Sequence, residues 1–141
     1  MIWLLRHGEA ADGHPDDDRP LTDKGEQQAR AAGAALAKLG VPIDLCLSSP
    51  KLRAAETARL ACQALGVEVT LDQRLKGGPF DPEDLVGDTE ALLVGHDPDF
   101  SAAVHAATGA QVRMKKGGLA GIERGELKVM LRPSELIVLA G

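Results

Sequence analysis

Apolar residues in this chain fall into two kinds of pattern. Short runs rich in apolar residues, Ile2 to Leu5, Ile43 to Leu47, Val67 to Leu71 and Ala91 to Val94, read as strands, the first of them buried. Between them apolar positions recur three and four residues apart, the spacing of a helix with one face turned inward. Thr22 predicts an N-cap, with Asp23 and Glu26 placed well against the helix dipole, and Ala29, Ala32, Leu36 and Leu39 form the stripe that Gly40 and Pro42 end. A second helix is expected from Ser49 as N-cap and Pro50 as first residue, with Leu52, Ala55, Cys62 and Leu65 facing the core. Asp81 to Val86 predicts a short helix, and Asp97 with Pro98 opens another that reaches about Thr108. The C-terminal part reads as a strand pair, Leu119 to Glu123 and Leu127 to Leu131, turning at Arg124-Gly125, followed by a last strand at Leu136 to Leu139.

Alternating strands and helices imply right-handed crossovers and an α/β three-layer sandwich. A mainly parallel central sheet would carry helices on both faces and an antiparallel C-terminal edge. The 141 residues suit one domain, residues 1–141, with no linker or internal repeat. In such a sheet ligands bind beyond the carboxyl ends of the strands. Three polar junctions sit at those ends: Arg6-His7 after the first strand, Ser48-Ser49-Pro50 with Arg53 after the second, and Gly95-His96 after the fourth. Arg53, one turn into its helix, would slant back over the strand end. A solvent-facing histidine at such an edge can be a nucleophile, a general base or a metal ligand, or simply a satisfied residue that caps the strand. The adjacent Arg6 argues against a metal ion and suggests a phosphate.

Composition narrows the partners. A net charge of −5 and 2% aromatic residues disfavour nucleic acid, which calls for a basic face or stacking platforms. No apolar run approaches the ~18 residues of a membrane span, so no membrane association and a cytoplasmic location are the default expectations. Cys46 and Cys62 are too few for a zinc motif or disulfide framework and read as small buried hydrophobes. Ala11 to Pro20 is a polar loop in which His14, Asp16, Asp17 and Asp18 read as solvated, and Arg19 as a possible pocket rim. Lys115-Lys116 reads as a solvated basic run. His105, inside a predicted helix, is expected to be structural or exposed.

Leu5-Arg6-His7-Gly8-Glu9 resembles the signature of the histidine phosphatase (phosphoglycerate mutase-like) superfamily. Serine-serine-proline at 48–50 with Arg53 and Thr57, and Gly95-His96 followed by Pro98, are similar to its later motifs and occur in the same order. The chain is most similar to the short SixA-like phosphohistidine phosphatases, because residues 66 to 90 leave no room for the helical lid of sugar-phosphate relatives. The resemblance implies a hydrolase that needs no metal or cofactor, in which His7 takes the phosphoryl group and Arg6, Arg53 and His96 bind phosphate oxygens, His96 as a cation. The lid of those relatives carries a general acid; here Asp81 and Glu83 are candidates by proximity only. The favoured substrate is phosphohistidine on a signalling protein. The alternatives are a small phosphoester or nucleoside diphosphate, and a phosphate-binding regulatory module without turnover. Oligomeric state is left open.

Overall fold

The computed structural model describes all 141 residues. Six strands form one sheet: β1 (Ile2–Arg6), β2 (Leu45–Ser48), β3 (Val69–Leu71), β4 (Ala91–Gly95), β5 (Leu119–Glu123) and β6 (Glu126–Leu131). Their order is β3-β2-β4-β1-β5-β6. The first four are mutually parallel, and β5 and β6 add the antiparallel edge. The helices are α1 (Asp23–Lys38), α2 (Leu52–Leu65), α3 (Pro82–Val86), α4 (Asp99–Thr108) and α5 (Pro133–Ala140).

Alternation along β1 divides the core into two layers. Trp3 and Leu5 join the cluster with Ala32, Leu36, Ala58, Ala61 and Leu136, which come from α1, α2 and α5. Ile2 and Leu4 face the opposite cluster, with Phe100 and Val104 of α4 and Val86 of α3. Helices therefore cover both faces. Cys46 and Cys62 are buried in the first cluster. No helix is long and apolar enough to cross a membrane.

Three expectations need correction. Leu136 to Leu139 belongs to helix α5, not to a strand. Pro133 occupies its first turn, and Glu135 accepts from the Arg132 backbone N–H at 2.8 Å, so a helix start precedes an apolar run too short to show its period. Helix α2 begins at Leu52 with Lys51 at its N-cap, two residues later than Ser49 and Pro50 suggested, and its buried stripe runs through Ala54, Ala58, Ala61 and Cys62 while Leu52 is exposed. Pro98, not Asp97, holds the N-cap position of α4; the Asp97 carboxylate instead accepts from the Ser101 backbone N–H and hydroxyl at 2.9 and 2.7 Å.

Candidate functional site

The register of the sheet brings the polar junctions together. Arg6 lies opposite Gly95 and Ser48 opposite Val94, so β1, β2 and β4 end at nearly the same level. His7 and His96 each follow by one residue, and their ring centroids are 5.2 Å apart. Two backbone bonds continue the ladder past the strand ends, His7 N–H to Gly95 C=O at 2.9 Å and Ser49 N–H to Val94 C=O at 2.9 Å. The junctions are thus fixed by main chain before any side chain is considered.

His7 is 6% exposed, which corrects the expectation of a solvent-facing residue. Its Nδ1 lies 2.7 Å from the carbonyl oxygen of Gly8. A carbonyl can only accept, so Nδ1 carries the proton and Nε2 presents its lone pair. Burial is the main cause that lowers the His7 pKa to about 4, with the charges of Arg53, Arg6 and Lys116 acting in the same direction. The ring is neutral at neutral pH, and its orientation is fixed with Nε2 free to act as a nucleophile or a base.

The loop that carries His7 is fastened on all sides. Gly8 N–H donates to Thr57 Oγ1 at 3.1 Å, and that hydroxyl donates to the Arg53 carbonyl at 2.7 Å. Glu9 N–H donates to Gln28 Oε1, and the Glu9 carboxylate accepts from Thr22 Oγ1, the N-cap of α1. The loop crosses the first turn of α1 so closely that a Cβ on Gly25 would lie 2.0 Å from the Glu9 carbonyl oxygen. Gly117 N–H donates to the His7 carbonyl from the other side at 2.9 Å.

His96 is equally buried, at 7% exposed. Ser49 Oγ is 2.7 Å from its Nε2 and accepts from the Lys51 N–H at 3.2 Å. With the Ser49 hydroxyl donating to Nε2, the ring proton sits on Nδ1. That Nδ1 is buried without a partner. Arg6 repeats the situation, with Nη1 donating to the Met114 carbonyl at 2.8 Å and a buried Nε that has no partner. The third such atom is the Trp3 indole nitrogen in the core. Buried donors without acceptors are uncommon because each forfeits its hydration, and two of them at the ends of the paired strands β1 and β4 are candidates to receive an anion. Burial, then the neighbouring His7 and the charges of Arg53 and Lys51, lower the His96 pKa to about 3.

Arg53 is 7% exposed and donates to the Asp16 carbonyl from Nη1 at 2.9 Å and to its carboxylate from Nη2 at 3.1 Å. The Asp16 carboxylate also accepts from Arg19 Nη1 at 3.0 Å, and these two guanidinium groups hold its pKa below the usual carboxylate range. Asp16 is the participant that the residue pattern concealed: three consecutive aspartates in a loop read as solvated. Asp17 pairs with Lys76 at 3.3 Å, and no three His, Cys, Asp or Glu side chains converge in a set that could hold a metal ion. Arg19 reaches the site only through Asp16, its Nε donating to the Ala11 carbonyl at 2.8 Å, so it latches the 11–20 loop. Ser49 has also changed part, from helix cap to partner of His96. His105 is exposed and lies 3.2 Å from the Ala110 carbonyl.

Of the two acid candidates, Glu83 is not brought to this place. Asp81 caps α3, accepting from Glu83 N–H at 3.0 Å. Glu83 lines a cavity with Met1, Ile2 and Glu90, at the beginnings of β1 and β4. A strand rises about 3.3 Å per residue, which puts Ile2 roughly 17 Å from His7.

Known proteins provide the context for this geometry. A protein of Picosynechococcus sp., itself uncharacterized, is 35% identical to this chain, the match covering 91% of this chain and 87% of that protein. The mitochondrial serine/threonine-protein phosphatase Pgam5 of Drosophila persimilis is 35% identical over 91 residues, which are 61% of this chain and 32% of that longer protein. The structure of the protein histidine phosphatase SixA complexed with tungstate superposes with a TM-score of 0.82, covering 96% of this chain and 98% of that one at 22% identity, a likeness of fold. Residues 2–113 match the model of the histidine phosphatase superfamily (branch 1), a span that includes His7, Arg53 and His96. The chain therefore belongs to the histidine phosphatase superfamily, branch 1, and is a phosphatase among the hydrolases.

Proposed function

We propose that this phosphatase hydrolyses phosphohistidine on a partner protein, in the cytoplasm, by way of a phosphoryl group carried on His7. The observation that carries the reading is the pairing of an oriented His7 lone pair with two buried, unpartnered donors beside it. Nε2 of His7 attacks phosphorus in line, the bond from phosphorus to the leaving nitrogen breaks, and the leaving imidazole keeps that electron pair. Water then attacks the phosphohistidine on His7, the new P–N bond breaks, and inorganic phosphate leaves with His7 restored. Arg6 Nε, His96 Nδ1 and the Arg53 fork hold the equatorial oxygens, where the charge is concentrated. A phosphate dianion between them raises the His96 pKa from its low value and favours the imidazolium.

The substrate class rests on the leaving group. An alkoxide has a conjugate acid about as weak as water, whereas a phosphohistidine protonated on its other ring nitrogen releases neutral imidazole, whose conjugate acid has pKa ~6.5. Glu83 lies at the other end of the strands from His7, and the Asp81 carboxylate serves as the cap of α3, which disfavours either as a dedicated acid for an alkoxide. A phosphohistidine that carries this ring proton needs no such acid.

The test is a panel of phosphohistidine proteins, aryl phosphates and sugar phosphates offered to the purified chain. Phosphohistidine and aryl phosphates should turn over well and sugar phosphates poorly, with acid-labile phosphate trapped on His7 after brief mixing. A strong preference for a sugar phosphate or nucleoside diphosphate would replace the substrate class. Phosphate trapped on another residue would overturn the mechanism.

A further inference from the structure

Next to the phosphate-binding donors, on the α1 side of Arg6, lies a cavity of about 380 Å³ with no hydrophobic residue in its lining. Arg6, Lys24, Lys115 and Lys116 bring four cations to it, against the single carboxylate of Glu9. That carboxylate is engaged by the Thr22 hydroxyl at 3.0 Å, and Gln28, also in the lining, is spent on the Glu9 N–H.

The four cations are unusual in this acidic chain. Of the 16 Lys and Arg side chains, Arg19, Arg30, Lys51, Arg53, Arg74, Lys76, Lys128 and Arg132 form ion pairs with carboxylates. Half of the remaining eight gather at this one cavity. The lysines stand on firm supports. Lys24 is in the first turn of α1, which the Glu9 loop grips, and Lys115-Lys116 precede Gly117, whose N–H donates to the carbonyls of both Arg6 and His7. Like charges held together without counter-charges repel one another, and a bound anion relieves that repulsion. The Lys116 charge is also among those acting on His7, so the cavity and the reacting imidazole share one field.

We infer that Lys24, Lys115 and Lys116 form a second anion subsite, continuous with the first through Arg6, which binds another negative group of the same substrate. On a protein this group is an Asp or Glu side chain next to the phosphorylated residue; on a small molecule it is a second phosphate or a carboxylate. The inference rests on the proposed phosphate site at His7 and adds to it a rule for substrate choice.

Competition against hydrolysis of a simple aryl phosphate tests this, because a competitor reports its binding whether or not it is turned over. Two pairs serve as probes: a phosphohistidine peptide with glutamate or glutamine beside the phosphorylated residue, and a small bisphosphate with its monophosphate. In the wild type the extra anion should lower the inhibition constant about tenfold in at least one pair, which identifies the source, and the advantage should shrink as salt is raised. In the Lys24→Gln/Lys115→Gln double variant the advantage should fall below twofold, while kcat and KM for the aryl phosphate move less than twofold. Equal inhibition within both pairs in the wild type, or an advantage that survives the double variant, would overturn the subsite. Failure of phosphohistidine turnover alone would strike the proposed substrate and leave this measurement standing.

Discussion

The two ends of strands β1 and β4 carry opposite chemistry on one scaffold. At their beginnings the Met1 ammonium donates to Glu90 at 2.7 Å and lies 3.4 Å from Glu123, beside a cavity of about 440 Å³ that Glu83 and Asp88 also line. At their far ends Arg6, His7 and His96 meet, with two buried donors left unpaired. Charge is plentiful at both, so charge alone does not mark function. The difference is satisfaction: one end has its ammonium paired with two carboxylates and leaves Glu83 and Asp88 to solvent, and the other keeps desolvated donors without an acceptor from the chain.

The sharpest break of this contrast is His7→Ala. We expect activity to fall by at least about four orders of magnitude, as for removal of other covalent nucleophiles. Far-UV circular dichroism should remain native, since the loop is held by main-chain and Thr57 bonds that the substitution leaves in place. Appreciable turnover by the alanine variant would transfer the nucleophile's part to another group. Next comes Arg53→Ala, for which we expect a loss in kcat/KM of about 10²–10³-fold, the scale of one lost charge-stabilising donor. Arg53→Lys should lose less, because lysine keeps the charge and forfeits the fork. Equal losses would mean that Arg53 serves only to hold Asp16.

Acid stability sharpens the same contrast. Burial holds His7 and His96 near pKa 4 and 3, below the 6.5 of the unfolded chain. The unfolded state therefore takes up protons that the folded state refuses, and stability should fall as pH drops from about 6.5 towards 3, then level out as far as these groups are concerned. Each site contributes a slope of about 1.4 kcal/mol per pH unit within its window. Denaturant titrations of His96→Gln between pH 6 and 4 should show a slope shallower by about that amount; an unchanged slope would mean that His96 is already charged. The smallest effects belong to the two acid candidates and to the far end. Asp81→Asn and Glu83→Gln should each change phosphohistidine hydrolysis by less than about tenfold, or ~1.4 kcal/mol. Glu90→Gln should lower stability by no more than about 1 kcal/mol, the usual range for a partly exposed ion pair. A collapse of activity in either acid variant would bring an acid into the reaction after all.

Strand ends were legible in the residues because a buried parallel strand writes a mostly apolar run, and the meeting of Arg6-His7, Arg53 and His96 follows from a parallel arrangement of those strands. The errors share a physical origin. Leu136 to Leu139 is four apolar residues long, shorter than the interval over which helix and strand periods diverge, and the capping chemistry of Arg132 to Glu135 decided the outcome. Ser49 has the residue type of a cap, but its hydroxyl found a better partner 47 positions away in His96. Asp16 was hidden for the same reason: its role depends on Arg53, 37 positions on, and local spacing carries no trace of such a contact. Long-range polar pairing is what one sequence read alone records least.

The 11–20 loop is closed at its base by an antiparallel bridge between Ala10 and Leu21, and higher up by Arg19 on Ala11 and Asp16, while Asp12 to Pro15 stay exposed at its tip. A loop clamped in this way can lengthen at its tip for little entropic penalty and without tugging on the strand behind it. Evolution, or an engineer grafting segments, thus has a spot where new recognition elements can be hung over the entrance while the reacting imidazole stays where it was. Divergence in what such enzymes accept should concentrate there, as variation in length more than in composition.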